Sequence, residues 1–212
     1  MKKVLLLGDS TRQGYDRYVK MAFDGSAEIL YPSENCRFSA YILRGIYDWK
    51  QSLGLDEELD LVHWNAGLWD DLIMIDGKHH TPLALYRENI GRIYDTIGLL
   101  FPRAKQIFAT STPVQEELFF GPCKRKNLDT ERYNEAAVET VLQRGGEIND
   151  LYTLVSGCPR DYYSDLAHLY TEAGTRLLSN RVIAVLENAL GIKASIPDYH
   201  ALFAKQDSVV GI

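Results

Sequence analysis

A run of four aliphatic residues at 4–7 stands near the start of the chain and breaks on Gly8-Asp9-Ser10. An apolar run without alternation, bounded by glycine, is typical of a strand buried on both faces of a parallel sheet. Open α/β folds bind ligands beyond the carboxyl ends of their strands, so the sequence predicts that Ser10 lies at that edge. The same tripeptide is also compatible with Asp9 or Ser10 simply capping the next helix.

Strand-like and helix-like segments alternate along the rest of the chain. Further strands are predicted at 27–31, 59–65, 104–109 and 147–149, with the 3.6-residue apolar period of helices between most of them. This alternation predicts a parallel sheet covered by helices on both faces. We therefore expect a three-layer α/β/α flavodoxin-like sandwich with five parallel strands in the order 2-1-3-4-5.

Local signals mark where helices begin and end. Thr81 is expected to cap the third helix, with Pro82 as its first residue, and Asp129 is the expected cap of the fourth. Thr171 is expected to start the last long helix, which Gly191 ends. The segment from 150 to 168 is predicted to be a tyrosine-rich loop.

The 212 residues are enough for one sizeable α/β domain, and no internal repeat or linker divides them. We expect a single domain at 1–192. Residues 193–212 are expected to form a tail that packs on the domain or is partly mobile, with a short helix near 199–204.

Composition narrows the classes of function. The net charge of −6 excludes the basic footprint of a nucleic-acid-binding protein, and no apolar stretch is long enough to span a bilayer. Cys36, Cys123 and Cys158 are widely spaced and odd in number, which fits neither a disulfide framework nor a zinc motif. The short apolar run leaves no room for a signal peptide before Gly8, so a cytoplasmic location is expected. The oligomeric state is left open.

A serine nucleophile needs an adjacent base, and His168 is the histidine best placed to supply one. It follows Asp165 by three residues, just before the last long helix and therefore at the same edge of the sheet as Ser10. In a tight turn this spacing lets the carboxylate reach Nδ1 while Nε2 faces the serine. The three residues then suit the roles of nucleophile, base and orienting group. An ordinary turn before a helix is the alternative for Asp165 and His168.

Gly8-Asp9-Ser10 and Asp165-x-x-His168 together resemble the first and last sequence blocks of the SGNH (GDSL-type) hydrolases, and the resemblance spans about residues 4–190. It implies a flavodoxin-like sandwich and hydrolysis of an ester or thioester through an acyl-enzyme, without metal or organic cofactor. Ser10 would be the nucleophile, His168 the base and Asp165 its orienting partner.

This chain differs from that family in two other sequence blocks. Where the family offers a glycine N–H after the second strand, this chain has no glycine, so Asn35 or another backbone amide is expected to donate to the oxyanion. Gly67-Leu68-Trp69-Asp70 stands in place of Gly-x-Asn-Asp. The substitute donor is then either the Trp69 indole N–H or the side-chain amide of Asn65, with Asn65 favoured. In the plain alternative, Trp69 packs and Asn65 caps the turn.

Aromatic residues near the predicted rim suit a carbohydrate ester, such as an acetylated sugar, as the substrate, and the alternative is that they fill the core or an interface. They are Trp64, Trp69, Tyr162, Tyr163 and Tyr170. Two interpretations of the segment 115–127 stay open: a lid or specificity loop, or a partly solvated surface. Two other functions stay open: a protein that binds phosphate or flavin at the turn 8–14, and a family member that has lost activity and recognises carbohydrate.

Overall fold

Five strands form one sheet in which every neighbouring pair is parallel, in the order β2-β1-β3-β4-β5. The computed structural model describes residues 1–207. The strands are β1 (Lys2–Leu7), β2 (Ala27–Leu30), β3 (Leu61–Trp64), β4 (Lys105–Ala109) and β5 (Glu147–Asn149). The predicted strand order is confirmed, with boundaries that differ by one or two residues.

Helices cover both faces of the sheet, which gives the predicted three-layer sandwich. They are α1 (Ser10–Ala22), α2 (Ser39–Ser52), α3 (Leu83–Leu100), α4 (Asn127–Leu142), α5 (Leu151–Val155), α6 (Glu172–Leu190) and α7 (Tyr199–Asp207). Single 3₁₀ turns occur at Glu116–Leu118 and Arg160–Tyr162. Helix α1 packs against α6 on one face, while α3 packs against α2 and α4 on the other.

Two apolar cores lie on the two sides of the sheet, and β1 contributes to both. Leu5 and Leu7 belong to the core beneath α2, α3 and α4, whereas Val4 and Leu6 belong to the core beneath α1 and α6. Because both faces of β1 are buried, the strand has no polar alternation. This sheet fixes the end of β1, and with it the position of the residues that follow.

The signals at the last long helix are confirmed. The Thr171 hydroxyl accepts a hydrogen bond from the Gly174 N–H at the start of α6, and Gly191 takes a left-handed conformation with φ of 67° after its end. A left-handed residue at this position is typical of glycine, which has no Cβ to clash.

The predicted starts of two other helices were wrong. Helix α3 has Pro82 and not Thr81 in the capping position, and the Thr81 hydroxyl bonds with the imidazole of His80. Helix α4 begins at Asn127, which puts Asp129 inside its first turn and not before it.

The predicted loop over 150–168 also contains a helix. Asp150 accepts a hydrogen bond from the Thr153 N–H at 3.0 Å and so caps α5, whose Leu151 and Val155 are buried. An aspartate followed by apolar residues one and five positions later is a helix-start signal that the tyrosines of this segment obscured.

The described part of the tail packs on α1. The Ser195 N–H donates to the Ala22 carbonyl, and the rings of Tyr199 and Phe203 contact the ring of Tyr18. Residues 208–212 of the predicted tail lie outside the described residues. Among residues 1–207, no helix combines the length and the apolar character needed to cross a membrane.

Candidate active site

Ser10 is the first residue of α1 and lies directly beyond the carboxyl end of β1. The cap of this helix is Asp9, whose side chain accepts a hydrogen bond from the Thr11 N–H at 2.9 Å. The Ser10 side chain is therefore not needed for capping. It is partly exposed at the edge of the sheet, where ligands bind in open α/β folds.

His168 and Asp165 meet Ser10 at this edge, from the loop that precedes α6. The distance from His168 Nε2 to Ser10 Oγ is 2.8 Å, and that from His168 Nδ1 to Asp165 Oδ2 is 2.7 Å. The backbone N–H groups of Ala167 and His168 donate to Asp165 Oδ1, each at 2.8 Å, which fixes the carboxylate. A hydrogen bond from the Ser164 N–H to the His168 carbonyl closes the turn.

Asp165 is held in its ionised form. Partial burial raises the pKa of its carboxyl group, but the backbone N–H groups and the His168 side chain lower it more, and the net pKa is below its ordinary value. An ionised carboxylate accepts a proton-bearing Nδ1, which leaves the lone pair on Nε2 directed at the Ser10 hydroxyl. The arrangement can therefore remove the hydroxyl proton.

Asn65 lies beneath the turn that carries Ser10. Its Nδ2 donates to Asp9 Oδ1 at 3.0 Å, and the residue is only 2% exposed. A Cβ atom on Gly8 would lie 1.9 Å from Asn65 Oδ1, so this close approach requires glycine. The amide thus supports Asp9 from the end of β3.

Asn35 and Trp69 are more accessible than Asn65. Asn35 Oδ1 accepts a hydrogen bond from the Arg37 N–H at 2.7 Å, which orients the side chain and leaves its Nδ2 without a partner among residues 1–207. Trp69 is partly exposed, and its indole N–H has no hydrogen-bond partner within the same residues. Both groups can donate to an incoming ligand.

The loop that bears Asn35 is held by a buried arginine that the sequence reasoning missed. Arg12 is 1% exposed and donates to the carbonyls of Pro32 at 3.0 Å and Glu34 at 2.5 Å. It also bonds to Asp16 one helical turn later. The guanidinium thus joins the helix that starts at Ser10 to the loop after β2. Nothing in the sequence around Arg12, two residues after Ser10, indicates this long-range contact.

The segment 115–127, for which a lid or specificity loop is one interpretation, is attached to the candidate site. Val114 packs in a small apolar cluster with Leu68 and Ala167, and the Gln115 N–H donates to the Leu166 carbonyl at 2.8 Å. These contacts join the loop after β4 to the loop that carries His168.

A buried charge pair makes a second attachment. The Arg125 side chain donates to the Leu68 carbonyl and lies 3.4 Å from Asp71 Oδ1. Burial raises the pKa of Asp71 to about 7, despite the opposing effects of a hydrogen bond from Thr130 and the charge of Arg125.

Two of the aromatic residues predicted at the rim are in the interior. Trp64 is fully buried against Phe108, and the hydroxyl of buried Tyr163 donates to the Pro113 carbonyl. Trp64 lies on a strand with both faces covered, so its side chain has no exposed face to occupy. Trp69, Tyr162 and Tyr170 remain at least partly exposed. No group of three or more His, Cys, Asp or Glu within residues 1–207 is arranged to hold a metal ion.

No protein-family model and no curated protein sequence matches the chain. Solved structures do match it over most of its length. The lipase/acylhydrolase from Enterococcus faecalis covers 93% of this chain with its whole length, at 18% identity and a TM-score of 0.71. A GDSL-like lipase from Bacteroides thetaiotaomicron covers 89% of this chain with 89% of its own, at 16% identity and a TM-score of 0.68. An acetyl xylan esterase covers 87% with 99% of its own, at 13% identity and a TM-score of 0.65.

The chain therefore has the fold of the SGNH (GDSL-type) hydrolases. Its strand order agrees with that fold, as the resemblance of the two sequence blocks implied.

Proposed function

We propose that this protein hydrolyses a carboxylic ester through an acyl-enzyme formed on Ser10. The observation that carries the proposal is the continuous hydrogen-bonded series from Ser10 Oγ to His168 to Asp165, with distances of 2.8 Å and 2.7 Å. Solved structures with this fold include lipases, an acylhydrolase and esterases, which supports the same class of reaction.

In the proposed acylation step, Ser10 Oγ attacks the ester carbonyl carbon while His168 Nε2 takes the hydroxyl proton. The carbon–oxygen bond to the alcohol then breaks, and His168 returns the proton to the departing alcohol. A water molecule attacks the acyl-enzyme with His168 again as base, which releases the carboxylic acid and restores Ser10. Asp165 keeps the proton-bearing Nδ1 oriented and stabilises the imidazolium in both steps.

The negative charge on the carbonyl oxygen needs hydrogen-bond donors. The Ser10 N–H is one, because the first N–H groups of a helix have no partner within the helix and lie at its positive end. We assign the Trp69 indole N–H and Asn35 Nδ2 as the other donors, because both lack partners among the described residues. Asn65 was the favoured candidate from the sequence, but its buried Nδ2 is engaged by Asp9. We propose that it supports the turn instead.

Hydrolysis of 4-nitrophenyl acetate by the wild type and Ser10→Ala tests the reaction. The variant is expected to lose about 10³-fold or more in kcat/KM, because it has no nucleophile. Ser156→Ala, which changes an exposed serine at the end of α5, is the matched control and should retain wild-type turnover. Wild-type-like turnover by Ser10→Ala would refute the proposal. Labelling of Ser10 without turnover on any ester would instead favour a carbohydrate-binding protein that has lost activity.

The oxyanion donors are tested by Trp69→Phe, which removes the N–H and keeps an aromatic ring, and by Asn35→Ala. A donor to the oxyanion is worth about 10²–10³-fold in kcat. A variant that retains full kcat excludes its residue from this role. Asn65→Ala in parallel distinguishes a donor from a support, because loss of a support also lowers the melting temperature.

For the substrate, we propose an acetyl ester on a carbohydrate. The exposed parts of Trp69, Tyr162 and Tyr170 offer aromatic faces for a sugar ring, and one solved structure with this fold is an acetyl xylan esterase. Faster hydrolysis of acetylated sugars than of equally activated simple acetates is the expected result. A preference for longer acyl chains on simple alcohols would contradict it.

We also propose a reducing, cytoplasmic compartment. All three cysteines, Cys36, Cys123 and Cys158, are free thiols in the structure, which is typical of proteins from such compartments. Cell fractionation of the source organism tests this, and recovery with secreted proteins would contradict it.

A further inference from the structure

Tyr170 contacts both of the residues that the proposed reaction requires to react with each other. Its hydroxyl donates to the backbone carbonyl of Ser10 at 2.6 Å. Its ring stacks on the imidazole of His168, with centroids 4.7 Å apart and planes inclined by 26°. One side chain thus links the first turn of α1 to the imidazole from the opposite loop.

The ring lies in a slot on α1 that exists because residue 14 is glycine. A Cβ atom on Gly14 would lie 2.7 Å from Cε1 of Tyr170, closer than real contacts allow. The residue is 37% exposed and borders a cavity of about 490 Å³. Contact with Gly14, the hydrogen bond to Ser10 and the stacking on His168 therefore restrain the orientation of the ring.

We propose that Tyr170 is a positioning residue for the reaction on Ser10, a role that rests on the proposed function. The stacked ring keeps the plane of the imidazole directed so that Nε2 faces Ser10 Oγ. The aromatic face also favours the imidazolium that forms when His168 accepts the proton. The hydrogen bond from the Tyr170 hydroxyl to the Ser10 carbonyl fixes the position of the ring relative to the first turn of α1.

Removing the two parts of the side chain separately tests this role. The rate at which a fluorophosphonate labels Ser10 reports the activation of the hydroxyl without any need for the natural ester. Tyr170→Phe keeps the ring and is expected to slow labelling by about threefold, whereas Tyr170→Leu loses the stacking and should slow it by about tenfold or more.

The split between kcat and KM on 4-nitrophenyl acetate gives a readout that general packing would not move. With the ring absent, kcat should fall while KM stays unchanged in Tyr170→Leu, because the imidazole is no longer held facing the Ser10 hydroxyl, whereas Tyr170→Phe should retain most of kcat. Asp165, which bonds the imidazole, is unchanged in both variants. Tyr47→Leu, at an exposed tyrosine on α2, is the matched control and should behave as wild type.

Gly14→Ala perturbs the same contact from the other side. The added methyl group must displace the Tyr170 ring, so labelling should slow, although alanine favours the helix itself. In the Tyr170→Leu background the same change should have little further effect, because the two substitutions act through one contact. Gly14→Ala also carries the test if Tyr170→Leu fails to fold.

Wild-type labelling rates and wild-type kcat in both Tyr170→Leu and Gly14→Ala would overturn the positioning role. They would leave the proposed hydrolase intact. Failure of the wild type to be labelled at all would overturn the proposed hydrolase function itself, so the two failures are distinguishable.

Discussion

Replacing Asp165 by asparagine should harm activity more than its small change in shape suggests. Asp165 Oδ1 accepts two backbone hydrogen bonds, each of 2.8 Å, from Ala167 and His168. An asparagine will keep its only oxygen there, which turns its NH₂ group towards His168 Nδ1. The imidazole must then accept a hydrogen bond at Nδ1 and carry its proton on Nε2, the wrong tautomer to receive the proton of Ser10.

The magnitude follows from these contacts. Turning the amide the other way would sacrifice two hydrogen bonds of about 1 kcal/mol each, so the wrong tautomer is favoured by about 2 kcal/mol, or about 30-fold. Loss of the charge-assisted bond to the imidazolium adds about 1.5 kcal/mol more. The expected loss in kcat/KM is therefore about 10²–10³-fold.

Asp165→Ala provides the decisive comparison. Alanine leaves the imidazole free to take either tautomer, so Asp165→Asn should be at least as slow as Asp165→Ala with 4-nitrophenyl acetate. Asp161→Asn, which removes the same charge from a neighbouring exposed turn, should be unaffected. An Asp165→Asn enzyme that folds and retains more than about a tenth of wild-type kcat/KM would refute the tautomer argument.

Three further predictions concern stability. Burial lowers the pKa of His63 to about 4, so protonation of His63 favours the unfolded chain, and the free energy of unfolding should fall by up to about 3 kcal/mol as the pH drops from about 6.5 towards 4. Urea unfolding of His63→Gln should lack this fall, and an identical pH dependence in the two proteins would contradict the prediction. Asp71 acts in the opposite direction, because its raised pKa makes protonation favour the folded chain, so the wild type should gain stability as the pH is lowered from about 7. Asp71→Asn should lack this gain, and an equal pH dependence of the two proteins would contradict the burial argument. Asn65→Ala withdraws the donor to buried Asp9 and should cost about 1–3 kcal/mol in urea unfolding, whereas an unchanged midpoint would show that Asp9 does not need it.

Much of the fold follows from local patterns. The run at 4–7 has no polar residue between its aliphatic ones, and the structure buries both of its faces in the two cores. Ser10 follows β1 closely in sequence and therefore lies beyond the carboxyl ends of the parallel strands. His63 lies within the strand predicted at 59–65, and it is fully buried. These features depend on residues that are neighbours in sequence.

The oxyanion donors could not be predicted in the same way. Whether Asn65 faces a ligand or the protein depends on its contact with Asp9, 56 residues away, and that contact depends on the pairing of β1 with β3. Arg12 is a further example, because its burial follows from carbonyl groups of Pro32 and Glu34 beyond β2. Such contacts have no periodic signature, so only the folded structure reveals them.

The most direct test of the central claim is to trap the acyl-enzyme and locate it. Wild-type protein mixed with an ester that deacylates slowly should carry one acyl group, which peptide mass spectrometry should assign to Ser10. His168→Ala should accumulate little of this adduct, because the hydroxyl has lost its base. An acyl group found on another residue, or equal acylation of Ser10→Ala, would contradict the account.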